Sequence, residues 1–146
     1  MLAVKSKKSI IIHLQYFKKW YEIANSPKLQ DKFTPLRMTL CGVAGSGKST
    51  LINTLVTAIR KITGKTNSVY VCGPTGTAAF NAGGETCHHL FNIQSRLYTS
   101  KLSAQALKTL MSKLEDTVAL IVDEWNMISA LLLGTMEAYC KQTTFK

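Results

Sequence analysis

Short apolar runs alternate along the chain with longer stretches in which apolar residues recur at helical spacing. The apolar runs predict buried strands at Arg37–Cys41, Val69–Cys72 and Thr117–Val122. The helical spacing predicts helices at His13–Asn25, Ser49–Thr63, Thr77–Asn81, Leu107–Leu114 and Ser129–Cys140. Gly64 is a stop signal after the second helix, and Gly83-Gly84 marks a turn. Strands that alternate with helices predict parallel βαβ units, and therefore an α/β fold.

The length of 146 residues accommodates one domain at most. A polar loop bounded by prolines, Ser26–Pro35, follows the first predicted helix. We therefore expect residues 1–35 to form an N-terminal helix and loop that lead into an α/β lobe at residues 36–146.

Basic residues are concentrated in the first half of the chain. The formal net charge is +10, and residues 1–70 hold 12 basic and 2 acidic side chains against 6 and 6 in the remainder. Clustered Lys and Arg favour an anionic partner such as DNA, RNA or a membrane headgroup, although a solvated, solubilising surface explains the charge equally well. No apolar run approaches the length of a membrane span, so no membrane partner is expected.

The four cysteines are widely spaced and form no C-x-x-C pair. This usage is typical of a reduced, intracellular protein with thiols in or near the core. For a eukaryotic chain we expect the nucleus, with the mitochondrion as an alternative because Met1–Lys19 is basic and lacks acidic residues. No obligate protein partner is inferred.

The strongest chemical signal is the segment Gly42–Ser49, which matches the phosphate-loop pattern G-x-x-x-x-G-K-[ST] between a predicted strand and a predicted helix. The glycines allow consecutive backbone N–H groups to surround a phosphate, and the helix adds its positive dipole end. Lys48 can reach the β- and γ-phosphates of ATP, and the Ser49 hydroxyl can bind Mg²⁺. The residues expected to contact the nucleotide are Gly42, Gly45, Ser46, Gly47, Lys48, Ser49 and Thr50.

Two carboxylates, Asp123 and Glu124, directly follow the most apolar predicted strand. The strand places them at the carboxyl edge of the sheet, where ligands of such folds bind. Asp123 is expected to hold Mg²⁺, and Glu124 to orient and deprotonate the water that attacks the γ-phosphorus. A glutamate in this position favours ATP hydrolysis over transfer to an acceptor.

The segment from Val71 to His89 is not needed to hold ATP. Its Pro-Thr-Gly, Gly-Gly and Thr-x-His groups offer amides, hydroxyls and an imidazole that can contact phosphate and sugar. Phe80, His88 or His89 could stack on a base. A turn-rich connection with a buried Phe80 explains the same residues, and the physical argument leaves both interpretations open.

Three segments resemble the motifs of one protein family. Gly42–Thr50, Gly73–His88 and Ile121–Ser129 are similar to motifs I, Ia with Ib, and II of the Pif1-like DNA helicases, which belong to superfamily 1 and include the helicases of Helitron-type transposons. The run from Gly73 to His88 is the distinctive part, because generic P-loop proteins lack it. The resemblance covers about residues 36–140 and implies a RecA-like parallel sheet and ATP-dependent DNA unwinding, 5′ to 3′.

The resemblance also implies roles for individual residues. Lys48 and Ser49 would bind nucleotide and Mg²⁺, and Asp123 with Glu124 would be the catalytic Walker B pair. The residues expected along single-stranded DNA are Pro74, Thr75, Gly76, Thr86 and His88. Gln15 is the candidate for the glutamine that reads adenine, with Gln30 as an alternative. The chain departs from the family at Trp125–Met127, where the family usually has a small residue, Ser and Met.

Helicases of this family contain two RecA-like lobes, whereas the chain ends soon after motif II. The resemblance therefore implies a truncated first lobe that lacks the second lobe as its partner. We expect such a fragment to be marginally stable, to bind Mg·ATP and single-stranded DNA weakly and to unwind negligibly. The resemblance also implies roles in DNA repair, recombination and telomere maintenance. The alternatives are another P-loop ATPase or nucleotide kinase, and an inactive transposon-derived remnant or DNA-binding module.

Overall fold

The computed structural model of the chain describes residues 2–3, 19, 22, 38–43, 45–94 and 101–144. These residues belong to two compact units, 1–58 and 59–146. The predicted helix at 13–25 and loop at 26–35 fall almost entirely outside the described residues.

The first unit contains a pair of short parallel strands, β1 (Leu2–Ala3) and β2 (Leu40–Cys41), in which Leu2 pairs with Leu40. Strand β2 is the end of the apolar run predicted at 37–41. Strand β1 was not predicted, because two residues are too few to show the alternation that identifies a strand.

Helix α1 (Lys48–Thr63) begins in the first unit, and its last turn belongs to the second. It differs from the predicted helix by one residue at its start. Its apolar face is buried at Leu51, Ile52, Leu55 and Ile59. Gly64 closes the helix in the left-handed conformation (φ 69°), and its N–H donates to the Arg60 carbonyl oxygen at 2.9 Å. The predicted stop signal is therefore confirmed.

The second unit is built on a parallel sheet of three strands, β3 (Val69–Gly73), β4 (Glu85–Thr86) and β5 (Ala119–Val122), in the order β4-β3-β5. Helix α2 (Gly76–Asn81) connects β3 to β4. Helices α3 (Cys87–Leu90) and α4 (Ala104–Leu114) connect β4 to β5, and α5 (Ala130–Thr144) follows β5. The predicted α/β fold with parallel strands is confirmed. The short β4 and α3 were not predicted, for the same reason of length as β1.

The predicted Gly-Gly turn seats α2 against the sheet. Gly83 has φ 67°, and a Cβ on Gly84 would collide with the backbone carbonyl of Val71 in β3. Only a residue without a side chain fits between the turn and the strand, so Gly84 fixes how closely α2 and its turn approach β3.

The core of the second unit lies where α3, α4 and α5 pack around β3. Its buried members are Cys72, Cys87, Leu90, Phe91, Ile93, Leu110, Leu132, Met136 and Tyr139. Among the helices that the structure describes, none has the length and apolar character needed to cross a membrane.

Two of the cysteines, 15 residues apart in sequence, meet in this core. The Sγ atoms of Cys72 and Cys87 lie 3.4 Å apart, and both residues are fully buried free thiols. The hydrogen bond to Cys87, together with burial, raises the pKa of the Cys72 thiol far above its ordinary value. Cys72 therefore remains a neutral thiol, and both cysteines lie in the core, where the sequence predicts thiols.

Candidate functional site

The phosphate-loop residues form a tight turn that ends in the first turn of α1. The N–H of Ser46 donates to the Val43 carbonyl oxygen at 3.2 Å, and Gly45 and Gly47 have φ values of 74° and 87°. Only glycine adopts this conformation readily, so the two glycines allow the backbone to curl. The N–H of Leu51 donates to Gly47 at 3.0 Å as the first helical hydrogen bond. The N–H groups of Lys48, Ser49 and Thr50, in the first turn, precede this bond and can face a ligand.

The side chains of the loop suit a phosphate group. The Lys48 ammonium lies within the curve of the loop, where Nζ donates to the carbonyl oxygens of Gly42 at 2.8 Å and Val43 at 3.0 Å. The hydroxyl of Ser46 is buried and has no hydrogen-bond partner among the described residues. Ser49 and Thr50 are exposed in the first turn of the helix. A cation, an unpaired hydroxyl and a helix N-terminus together fit the phosphates of a nucleotide.

The predicted acidic pair lies in the second unit, at the carboxyl end of β5. The N–H of Asp123 donates to the Cys72 carbonyl oxygen of β3 at 2.9 Å, so the strand ladder extends to Asp123 itself. The half-buried carboxylate accepts the N–H of Glu124 at 3.0 Å through Oδ1. An acid held at this edge of the sheet fits the oxygen chemistry that Mg²⁺ requires.

Glu124 has an unusual backbone conformation, with φ 51° and ψ 37°. A left-handed conformation is unfavourable for a residue with a side chain, and its occurrence beside a candidate site is typical of functional positions. The hydrogen bond to Asp123 and the Met127 N–H, which donates to the Glu124 carbonyl oxygen at 2.9 Å, hold this conformation. The Glu124 side chain is exposed to solvent as a result.

The sheet register brings the two halves of the predicted DNA-binding segment together. Gly73, which precedes Pro74, pairs with Thr86 of β4, while its neighbour Cys72 accepts the Asp123 N–H. Strand β3 therefore lies between the acidic pair, Asp123 and Glu124, and Thr86 of β4. Residues Pro74 to Gly76 continue from the end of β3.

Both threonines of this segment also begin helices. The Thr75 hydroxyl oxygen accepts the Ala78 N–H at 3.2 Å to cap α2, and the Thr86 hydroxyl oxygen accepts the His89 N–H at 3.2 Å to cap α3. A hydroxyl that accepts in a cap still has its own O–H to donate. The two threonines can therefore cap a helix and donate to a phosphate oxygen at the same time.

Phe80 is 84% exposed on α2. The interpretation of the sequence in which Phe80 is buried is therefore wrong. Its neighbour Ala79 carries the contact of α2 with the interior. An exposed phenyl ring beside the predicted strand-binding residues is available for base stacking.

Glu85, His89 and Lys113 form a charged cluster that sequence reasoning missed. Glu85 Oε2 lies 2.5 Å from His89 Nδ1, and Lys113 Nζ lies 3.0 Å from Oε1 and 3.2 Å from Oε2. Partial burial opposes ionisation, but the hydrogen bonds from Lys113 and His89 lower the pKa of Glu85 below its ordinary value. The i,i+4 spacing of Glu85 and His89 was visible in the sequence, whereas Lys113 is 28 residues away and joins only through the fold.

The remaining sequence predictions concern Gln15 and the altered motif II. Gln15 and Gln30 lie outside the described residues, so the adenine contact stays a prediction. Trp125–Met127 form one turn of 3₁₀ helix, in which the Trp125 and Met127 side chains are mostly exposed. The departure from the family pattern therefore falls on the surface.

Comparisons with known proteins agree with the motifs. A family model described as PIF1-like helicase matches residues 23–144, which include the phosphate loop and the acidic pair. Two relatives are named as ATP-dependent DNA helicases of Saccharomyces cerevisiae: RRM3, 30% identical over 69% of this chain, and PIF1, 33% identical over 66%. The ATP-dependent DNA helicase PIF4 of Trypanosoma brucei brucei is 34% identical over 61%. The matched region spans 14% of RRM3 and 11% of PIF1 and of PIF4.

Proposed function

Because this chain belongs to the PIF1-like helicase family, we propose that it binds and hydrolyses ATP as part of ATP-dependent DNA unwinding. The observation that carries the proposal is the shared sheet edge of the second unit. There the acidic pair at the end of β5 and Thr86 of β4 lie on either side of β3. A residue pair suited to hydrolysis and residues suited to a phosphate backbone thus flank one strand, β3, which supports coupling of the two activities.

Lys48 and the N-terminus of α1 bind the phosphates in this proposal. The Lys48 ammonium exchanges the carbonyl oxygens of Gly42 and Val43 for phosphate oxygens, which are stronger acceptors. The Ser46 hydroxyl gains the partner that it lacks among the described residues. Mg²⁺, when bound with ATP, neutralises phosphate charge, and the Ser49 hydroxyl and the Asp123 carboxylate are the groups proposed to hold it.

Glu124 is the proposed general base. Its exposed carboxylate accepts a proton from the water that attacks the γ-phosphorus. The hydrogen bond from the Glu124 N–H to the Asp123 carboxylate fixes the Glu124 backbone relative to Asp123. Asp123 accepts this hydrogen bond through Oδ1, and deprotonation of the attacking water is assigned to Glu124.

The proposed DNA partner is a single strand, bound by Pro74, Thr75, Gly76, Thr86 and His88. The threonine hydroxyls donate to phosphate oxygens while they cap α2 and α3. The second RecA-like lobe, the 5′-to-3′ direction and the roles in repair, recombination and telomere maintenance are further proposals that rest on the family. Family membership speaks against a nucleotide kinase or an unrelated P-loop ATPase.

Binding and hydrolysis of ATP by substituted chains test the proposed nucleotide site. We expect Lys48→Ala to weaken binding of a fluorescent ATP analogue by about 100-fold, because a charge-assisted phosphate contact is lost. Glu124→Gln should leave binding unchanged and reduce hydrolysis by about 100- to 10,000-fold, because the base is removed. Lys61→Ala, an exposed lysine at the other end of α1, is the matched control and should change neither. Binding by Lys48→Ala at the affinity of the unsubstituted chain would show that the site is assigned wrongly.

A further inference from the structure

We propose that His89 is a phosphate-binding residue of the single-strand interface, oriented by the Glu85–Lys113 ion pair. The ligand is the phosphodiester backbone of a single strand, so the inference rests on the proposed function. It adds a residue that none of the three helicase motifs assigns, in a position next to His88.

The imidazole of His89 has the exposure that a DNA contact needs. Its side chain is 79% exposed, although Nδ1 is held 2.5 Å from Glu85 Oε2. The neighbouring His88 is half-buried and makes contacts of its own. Of the two adjacent histidines, His89 therefore presents its ring more fully to solvent.

The partner of Nδ1 determines which ring nitrogen is available. Lys113 binds both oxygens of the Glu85 carboxylate, and its ammonium also lies 5.6 Å from the centroid of the Tyr70 ring in β3. Glu85 is ionised, as its lowered pKa requires, and an ionised carboxylate only accepts hydrogen bonds. Nδ1 must then carry a proton, and Nε2 is the ring nitrogen left to meet a ligand.

The charges along this cluster alternate in sign. Lys113 is positive, Glu85 is negative, and an approaching phosphate would be negative on the far side of His89. A His89 ring that keeps Nδ1–H on Glu85 and donates Nε2–H to a phosphate oxygen completes the alternation. Lys113 offsets the repulsion that Glu85 alone would exert on the phosphate, so the cluster attracts an anion at the ring.

His89 also lies next to residues that are proposed to contact single-stranded DNA. Its N–H donates to the Thr86 hydroxyl oxygen at 3.2 Å, and Thr86 is itself a proposed strand contact. Thr86 pairs with Gly73, directly before Pro74. The residue that orients His89, Glu85, is the other member of β4.

Binding of a fluorescein-labelled oligothymidylate to the full chain, measured by anisotropy over a salt series, tests the inference. We expect His89→Ala to weaken binding by about 3- to 10-fold and to reduce the slope of log affinity against log salt by about 0.7, the value for one phosphate contact. His89→Lys restores a cation and should keep the affinity within about two-fold of the unsubstituted chain. Because His89 is exposed, neither substitution should impair folding, which circular dichroism will verify.

The role of Glu85 is tested by non-additivity. Glu85→Gln removes the charge that holds the Nδ1 side of the ring, so it should weaken binding in the unsubstituted chain and have no further effect when combined with His89→Ala. If Glu85 had only a structural role, Glu85→Gln would weaken DNA binding equally with and without His89→Ala. Glu137→Gln, which removes one carboxylate of the exposed Glu137–Lys141 pair on α5, is the matched control and should leave affinity and slope unchanged.

The outcomes separate this inference from the proposed function. If the unsubstituted chain fails to bind the oligonucleotide, the proposed binding of single-stranded DNA is refuted. The assignment of His89, which depends on that binding, is then refuted as well. If the chain binds and His89→Ala has the same affinity and salt slope, only the assignment of His89 is overturned.

Discussion

At the scale of single residues, Glu124 and Glu85 of the second unit differ in exposure and in the contacts of their carboxylates. Glu124 is exposed and adopts a left-handed backbone conformation, stabilised by Asp123 and Met127. Glu85 is mostly buried and has two cationic or hydrogen-bonding neighbours, His89 and Lys113. The first arrangement leaves a carboxylate available for chemistry, and the second uses a carboxylate to orient other groups.

The ionisation of Glu85 makes stability depend on pH. Its pKa in the folded chain is lowered relative to the unfolded chain, so its contribution is present above the unfolded pKa and is lost as pH falls through the folded pKa. We expect Glu85→Gln to be less stable than the unsubstituted chain at neutral pH. Urea unfolding at a series of pH values should show the difference shrink as pH falls below about 4.5 and disappear once Glu85 is protonated. A difference that is constant across the series would contradict the lowered pKa.

At the scale of elements, helix caps carry part of the proposed function. Thr75 caps α2 within the proposed DNA-binding segment, and Ser103 caps α4, to which no DNA contact is assigned. The Ser103 hydroxyl oxygen accepts the Ala106 N–H at 3.3 Å, close to the 3.2 Å of the Thr75 cap. The two caps therefore have similar hydrogen bonds, and only Thr75 is a proposed contact of single-stranded DNA.

Substitution of these caps separates stability from DNA binding. We expect Thr75→Ala and Ser103→Ala each to lower the free energy of unfolding by about 1 kcal/mol, because each removes a hydrogen bond to an orphan N–H group. Only Thr75→Ala should weaken binding of single-stranded DNA, whereas Thr75→Ser, which keeps the hydroxyl, should restore both properties. Urea unfolding and fluorescence anisotropy measure the two effects. Equal DNA affinity for Thr75→Ala and Ser103→Ala would show that Thr75 acts only as a cap.

Most of the elements could be predicted because their signals are local. The α1 boundaries follow from apolar periodicity and from Gly64, and β3 and β5 follow from continuous apolar runs. The two-residue strands β1 and β4 and the four-residue α3 could not be predicted, because they are too short for an apolar period to repeat. The two short strands form where a neighbouring strand supplies hydrogen-bond partners, as β3 does for β4, and α3 forms where Thr86 caps it.

At the scale of the whole molecule, the charge distribution bears on how DNA is bound. The excess of basic residues in positions 1–70 could bind DNA without the segment from Pro74 to His88. The non-enzymatic alternative, a DNA-binding module, depends on that possibility. The matched region spans 14% or less of the helicases that it resembles, so unwinding by the complete machinery is a proposal about the family context rather than about this chain alone.

Nucleotide dependence of DNA binding distinguishes the two alternatives. If the motifs act together, Mg·ATP should change the affinity for an oligothymidylate by about 3-fold or more, within the range of ordinary coupling between sites. Lys48→Ala should abolish that change and leave the affinity without nucleotide unaltered. Anisotropy with and without a non-hydrolysable ATP analogue measures the effect. An affinity that depends on salt but not on the nucleotide would favour the DNA-binding module.

The amino-acid sequence by itself determined the phosphate loop, the acidic pair and the order of the main helices and strands. These depend on glycine placement, on apolar periodicity and on residues that are neighbours in the chain. The tertiary structure alone decided that Cys72 meets Cys87, that Lys113 reaches Glu85, and that Phe80 faces solvent. Such contacts depend on the register between parallel strands and on helix packing across the crossovers, and no local pattern in the sequence specifies either.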